Sequence, residues 1–306
     1  MSKKKFNSKR IDCEICGSKK QRFLYKIKKM GQPFKVVRCK CGLVFVNPQP
    51  DKDFFDVFYN EEYHTGDRCY RPMDMKEFKR NKEPFQRNVK MFLSKTKKKK
   101  KGSYLDVGCA TGHFVQVFKD KGWDATGIDV SEYSTRFARE ERGLNVLTGD
   151  VAKANLPKNH YDLITLLNVV EHLPNPREVL KELGRVLKKN GVLVITTPNA
   201  GSAVAKIRKD KWWGYDDEGH IHFFSLRTLD QLLDELGMEI FAIDLVYSYG
   251  YSLGDVLKRQ ENKGKKTIRA AEYLVTTRVA PVTFKCCRGL TDLLVPVTAS
   301  FIKKKS

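Results

Sequence analysis

Five apolar stretches without polar alternation mark the middle of the chain, near residues 104–107, 123–130, 145–151, 161–172 and 191–199. Between them, apolar positions recur at helical spacing, as in 114–121 and 177–187. Continuous apolar strands separated by helices predict a parallel sheet covered on both faces. Each stretch ends in polar groups: Asp106, Asp129, Asp150, then Asn168 with Glu171 and His172. In sheets of this kind a ligand lies beyond the carboxyl ends of the strands. Further along, 226–236 reads as a helix with Ser225 as its N-cap, and 238–247 as a sixth strand.

The N-terminal third has a different pattern. Residues 22–27 and 34–38 read as strands, 42–48 as a strand ending in a turn, and 54–63 as a short aromatic-rich helix. A charged helical segment, 73–95, and a lysine run at 97–101 lead into the first core strand. The expected organisation is a small module over 1–50, a helical lid or linker over 51–101, and a main domain over 102–306. A basic, helical insertion interrupts that domain near 250–290, and 283–294 reads as a further short helix.

The first strand breaks into a turn whose glycines, Gly108 and Gly112, permit positive φ and close backbone approach, and a helix opens behind it. Such a loop cradles a nucleotide-like ligand. Dinucleotide-binding folds use a G-x-G-x-x-G version, so the loop alone decides little. Here the glycines are four apart, Ala110 sits between them, and Asp106 precedes the turn. An acid there suits a ligand carrying an ammonium group. Asp129, about twenty residues on, stands where a carboxylate takes ribose hydroxyls.

The ordered set Asp106-x-Gly108-x-Ala110-x-Gly112, Gly127-Ile128-Asp129, Gly149-Asp150 and Asn168-x-x-Glu171-His172 resembles the motifs of class I S-adenosylmethionine (SAM)-dependent methyltransferases. The resemblance covers roughly 102–245. It implies an α/β, Rossmann-like seven-stranded sheet, parallel but for one antiparallel strand, which 295–303 would supply. It also implies that Asp106 and the Gly108, Cys109, Ala110 and Gly112 loop hold the methionine end of SAM. Asp129 would bind the ribose and Asp150 the adenine amino group, with Val130 and Val151 beside them and Asn168 near the sulfonium. The family's central glycine is Ala110 here, the mildest replacement.

Cys13-x-x-Cys16-Gly17 and Cys39-x-Cys41-Gly42 bracket the two N-terminal strands. Two cysteine turns, each followed by glycine, form knuckles that together make a tetrahedral four-cysteine zinc site, closed and therefore structural. The second spacer is one residue shorter than usual. Cys69, Cys109, Cys286 and Cys287 lack ligand spacing. A cysteine module ahead of 42–48, followed by the tyrosines Tyr59 and Tyr63, is similar to methyltransferases that open with a zinc module, some of which act on sugars, small molecules or glycan precursors. Tyr59 and Tyr63 would then fall at the mouth of the cleft, or the aromatic residues of 54–59 simply pack.

The net charge of +22 sits mostly ahead of the main domain. Residues 1–50 carry fourteen basic and two acidic side chains, while 102–200 carry twelve of each. No apolar run is long enough to cross a bilayer and the start lacks a signal-peptide core, so a cytoplasmic location is expected. The block from Trp212 to Ser225 holds His220 and His222 at alternate positions, on one face if extended. The resembling family has Glu-His there with the His near the acceptor; here Gly219 precedes His220 and Glu218 is displaced by one. His220 is the first candidate general base and His172 the second, with Tyr59 or Tyr63 positioning the acceptor. Two classes of acceptor remain: a small molecule or sugar/glycan precursor, or RNA gripped by the basic N-terminal module. The atom methylated and the oligomeric state are not readable from the chain.

Overall fold

The computed structural model describes residues 6–59, 75–97, 101–245 and 297–305. Tyr63, Cys69, Cys286, Cys287 and the insertion expected near 250–290 lie outside them.

The core is a seven-stranded sheet. Its parallel strands are β6 (Ser103–Val107), β7 (Asp124–Asp129), β8 (Asn145–Thr148), β9 (Tyr161–Leu167) and β10 (Leu187–Pro198). Beyond β10 come β13 (Val297–Lys304) and β12 (Met238–Leu245), so the order is β12-β13-β10-β9-β6-β7-β8. Only β13 is antiparallel to its neighbours, pairing Ile302 with Leu193 on one side and with Ile240 on the other. The expected Rossmann-like sheet with one antiparallel strand is thus the observed fold. Leu163, Ile164, Leu166, Leu193, Val194 and Ile195 are all buried, which is why these strands read as unbroken apolar runs. β6 and β9 are adjacent and parallel, and the order in which strands are added reverses between them, so the carboxyl ends of the central strands lie side by side at one edge.

Helices His113–Asp120, Glu132–Glu140, Pro176–Val186 and Leu226–Glu235 cover the sheet. The last carries the expected cap: Ser225 and Thr228 form a reciprocal capping box. The segment expected as one helix over 73–95 is two, Met75–Asn81 and Glu83–Ser94. Pro84 stands in the first turn of the second, where a missing N–H costs nothing, and it cannot continue the first.

A second, four-stranded sheet is built from β2 (Gln21–Lys29), β3 (Gln32–Cys39), β4 (Val44–Val46) and β11 (His222–Phe223), in the order β11-β4-β3-β2. Its fourth strand therefore comes from the block that follows β10. His222 pairs with Phe45 and Phe223 with Val44. Both sides of this sheet are covered by residues from beyond position 100. Val37, Leu43 and Phe45, with Cys13, Ile15 and Cys39, share one apolar cluster with Leu105, Val107, Ile164 and Leu183. Ile27, Phe34, Val36, Val44 and Val46 pack with Trp212, Tyr215, Ile221 and Phe223 on the other side. Arg177 reinforces the seam by donating to the carbonyl oxygens of Glu14 and Ile15.

Candidate active site

Four strand ends assemble the first half of the site. After β6 the chain turns through Gly108 (φ +73°), Ala110 (φ +46°) and Gly112 (φ +79°) before the helix His113–Asp120 begins. The turn is clamped to β7: the Gly108 and Cys109 amides donate to the Ile128 carbonyl at 2.8 and 3.2 Å. A Cβ on Gly108 would lie 2.3 Å from a Val169 methyl, so close packing as well as φ demands glycine there. Cys109 is buried against Gly127, whose own Cβ would meet its sulfur at 2.7 Å. No side chain caps the helix at Gly112, so a cap does not occupy its first-turn amides.

Asp129 ties the loop together. Its Oδ2 accepts from the Ala110 amide at 2.8 Å and its Oδ1 from the Ser131 amide at 2.9 Å. Each oxygen retains a second lone pair that a ribose hydroxyl can use. Burial raises the Asp129 carboxyl above its ordinary range, and the amides of Ser131 and Ala110 oppose that rise. Val130, beside it, is 59% exposed.

Asp106 is placed differently from an acid directed into the loop. Thr165 donates to its Oδ1 at 2.6 Å, and the Tyr104 hydroxyl in turn donates to Thr165 at 2.6 Å. Burial pushes the carboxyl up to about 7. Asp150 is exposed and caps the turn Val151–Lys153, its Oδ1 accepting from the Ala152 amide at 3.0 Å, while Val151 is buried. Asn168 adopts φ +53°, and its amide donates to Thr196 on β10. All the loop and strand-end residues singled out in the sequence thus fall on one edge of the sheet.

The second half lies where the end of β9 meets the block before β11. The Glu171 carbonyl accepts from the amides of Ile221 at 2.9 Å and His222 at 3.0 Å. That junction brings His172 and His220 together, with ring centroids 4.6 Å apart and edge-to-face. The Tyr59 hydroxyl reaches His172 Nδ1 at 2.9 Å from the end of helix Lys52–Phe58, and Phe54 and Phe58 bury that helix's other face. Tyr59 therefore both belongs to an aromatic packing face and contacts the candidate base. His220 Nδ1 lies 2.8 Å from the Gly214 carbonyl, so it carries the proton and Nε2 presents a lone pair.

The acid nearest His220 is Glu171, Oε1 at 3.9 Å from Nε2. Glu218 does not fill the position of the displaced family acid: it accepts from the Met30 amide on the N-terminal sheet. Position 219 has no room for a side chain, since a Cβ there would approach His172 Nδ1 to 2.5 Å and Phe58 to 2.6 Å. Glu171 is 1% exposed and both its carboxylate oxygens lack a hydrogen-bond partner. Burial pushes its carboxyl up to about 8. Burial, with His220 as a neighbour, pushes His172 down to about 3. His220 is also lowered, chiefly by burial.

His222 does not share a face with His220. Its Nδ1 lies 3.0 Å from the Leu173 carbonyl and its Nε2 3.2 Å from Gln49 Nε2, which fixes it as a neutral linker between the sheets. Lys29 was another residue hidden from sequence reasoning. It is 0% exposed and donates to the Asp217 carbonyl at 2.6 Å, holding the N-terminal hairpin against the block that carries His220.

At the N-terminus, Cys13, Cys16, Cys39 and Cys41 converge. Their sulfurs lie within 4.8 Å of one another, with Cys13–Cys41 at 3.5 Å and Cys16–Cys39 at 3.4 Å. Tetrahedral Zn–S bonds of about 2.3 Å set sulfurs about 3.8 Å apart, so this donor set fits a metal. Backbone amides of Ile15 and Cys16 are directed at the Cys13 sulfur and that of Leu43 at Cys41, as knuckle geometry requires.

Residues 76–243 match the family described as "Methyltransferase domain", which is more than half of the chain. The protein belongs to this methyltransferase family. Among its relatives, "Uncharacterized protein MJ1123" of Methanocaldococcus jannaschii is 27% identical over 139 residues, 45% of this chain and 65% of that protein. A malonyl-[acyl-carrier protein] O-methyltransferase of Serratia marcescens is 31% identical over 121 residues, covering 39% and 47%. A ubiquinone biosynthesis O-methyltransferase of Glaesserella parasuis is 31% identical over 105 residues, covering 31% and 44%. The chain thus matches between 44% and 65% of these relatives' lengths. A chain from the Haloferax volcanii complex containing the Trm112 methyltransferase activator shares the fold, with a TM-score of 0.50 at 13% identity over 77% of this chain and all of that one. Among the described residues no helix is long and apolar enough to cross a membrane.

Proposed function

We propose that this methyltransferase transfers a methyl group from SAM to a small molecule or a sugar or glycan precursor. The observation that carries the acceptor reading is the burial of the candidate acceptor site. His172, His220 and Glu171 sit beneath Tyr59 and the N-terminal sheet, a setting that suits an enclosed acceptor. SAM's sulfonium is already electrophilic, so the protein aligns a nucleophile and excludes water. The acceptor atom supplies the electron pair for the new bond to carbon, the S–CH3 pair returns to sulfur, and the acceptor's proton goes to a base. His220 Nε2 is that base in this reading, and Tyr59 positions the acceptor through His172. Tyr63 is the second candidate for that positioning role.

In the cofactor half, Gly108, Cys109, Ala110 and Gly112 would receive the methionine moiety beside Asp106, Asp129 the ribose, and Asp150 the adenine edge. Val130 and Val151 would flank the ring, and Asn168 would lie near the sulfonium. Zinc on Cys13, Cys16, Cys39 and Cys41 would act as a structural ion beneath the acceptor side. In this reading residues 1–50 serve as the zinc module, 51–101 as the lid and 102–306 as the methyl-transfer domain of a cytoplasmic enzyme.

The alternative acceptor is RNA. The β2–β3 hairpin favours it: exposed Lys26, Lys28 and Lys35 share one face with Phe23, which is 52% exposed, and exposed Arg22 and Arg38 pair on the other. Release of S-adenosylhomocysteine, measured with an RNA-free small-molecule extract and with total RNA at low and high salt, separates the two. Turnover confined to the extract supports the leading reading, and salt-sensitive turnover confined to RNA overturns it.

A further inference from the structure

Glu171, His172 and His220 present donor atoms that all lie within 4.8 Å of one another, on two segments about fifty residues apart in the chain. Tyr59, His172, His220 and Glu171 do not form a continuous hydrogen-bonded relay. The Glu171–His220 separation is 3.9 Å, beyond hydrogen-bonding reach, and both Glu171 oxygens are sealed from water with only the Thr197 hydroxyl and the residue's own amide beside them, neither in good hydrogen-bond geometry. A buried carboxylate in that condition costs more than a hydrogen bond unless a proton or a cation joins it.

We propose that Glu171, His172 and His220 form a binding site for a divalent first-row transition ion. Two imidazoles and one carboxylate are a donor set that such ions accept, leaving coordination positions open. Bond lengths of about 2.0–2.2 Å require donors about 3–3.5 Å apart, so donors within 4.8 Å of one another need to close by at most about 1.3–1.8 Å. The surroundings are organised as they are around ligating histidines. The Gly214 carbonyl takes the His220 Nδ1 proton and thereby directs the Nε2 lone pair toward Glu171. The Tyr59 hydroxyl fixes the His172 ring in the same way. Asp217 and Lys29 both act on the two histidines, and the charge of Lys29 is offset by Asp217, Glu218 and Asp216. Gly219 leaves the space that a side chain would otherwise take beside His172.

With the ion bound, His220 Nε2 would be a ligand in place of the general base, and the ion's open position would acidify an acceptor hydroxyl so that its proton leaves to solvent. That last step rests on the methyl-transfer reading; metal binding itself does not.

The test is cobalt binding to the full chain after its cysteine site has been saturated with zinc. Dialysis against Co2+, with elemental analysis and visible absorption, should show one further ion per chain whose spectrum lacks sulfur-to-cobalt charge transfer. Glu171→Gln and His220→Asn should each weaken that binding at least tenfold, while Glu239→Gln, half-exposed on the edge strand β12, leaves it unchanged. Thermal melting and S-adenosylhomocysteine affinity confirm that each variant is folded with its cofactor half intact. Absence of a nitrogen- and oxygen-ligated cobalt in the parent chain overturns the proposal. So does full cobalt affinity in both folded variants. Either result leaves the methyl-transfer reading to its own assay, because S-adenosylhomocysteine binding is read separately.

Discussion

The Ala110 amide donates to Asp129 Oδ2 at 2.8 Å while Ala110 itself is held at φ +46°. The left-handed region costs a residue with a Cβ about 1–2 kcal/mol, and here the hydrogen bond to β7 holds the loop in it. Ala110→Gly keeps the amide and removes the strain, less the entropy that glycine adds to the unfolded chain. It should stabilise the protein by about 0.5–1 kcal/mol, seen as a higher denaturant midpoint at unchanged slope.

Asp129→Asn replaces one acceptor oxygen with an amide group that faces a backbone N–H. Hydrogen bonds to a charged acceptor are worth about 1.5–3 kcal/mol, so S-adenosylhomocysteine affinity should fall about 10- to 100-fold by calorimetry. An unchanged affinity would remove Asp129 from the cofactor site.

Much of this half of the molecule was legible because its signals are local. Continuous apolar runs mark β6, β9 and β10 as strands buried on both faces, and the acids fall at their ends. The capping serine and the cysteine turns are likewise short-range patterns. The acceptor half was not legible for the opposite reason. Two residues, His222 and Phe223, make β11, and two residues carry no periodicity. Nothing near Glu171 announces that His220 will face it. Lys29 has the composition of a solvated strand edge, yet a carbonyl 188 positions away buries it. The sequence showed Glu218 displaced by one from the family's acid, but not that His172 and Phe58 leave no space for an acid at 219.

Stability should depend on pH with two limbs. Burial holds His172 down to about 3 and His222 to about 4 in the folded chain, against about 6.5 when unfolded. As pH falls below about 6.5 the unfolded chain takes up protons that the fold refuses, so stability drops on the acid side. Glu171, raised to about 8, acts in reverse, and stability drops as pH rises from about 4.5 through 8. Without added transition metal, the melting temperature should peak between these limbs. His222→Gln should flatten the acid limb and Glu171→Gln the alkaline one.

Cys39→Ser, or chelation of the cysteine site, should lower the melting temperature of the whole chain in one transition. Cys13, Ile15 and Cys39 share an apolar cluster with β6 and β9, so the module has no separate core to lose. A distinct early transition in calorimetry, with the rest of the chain unaffected, would contradict this.

Charge reversal on the hairpin, as in Lys26→Glu with Lys28→Glu, should leave turnover of a small acceptor within about twofold, because both side chains are exposed on the outer face. If RNA is the acceptor, the same pair should depress turnover steeply and reduce its salt dependence.

The pairing of β11 with β4 gives the enzyme two ends with different dependencies. The residues proposed for the cofactor lie within a single stretch of chain, from Asp106 to Asn168. The acceptor end is a joint made by segments that begin their lives at opposite ends of the polypeptide. Lineages that exchange the first fifty residues would therefore inherit the same methyl donor while acquiring a new choice of what to methylate.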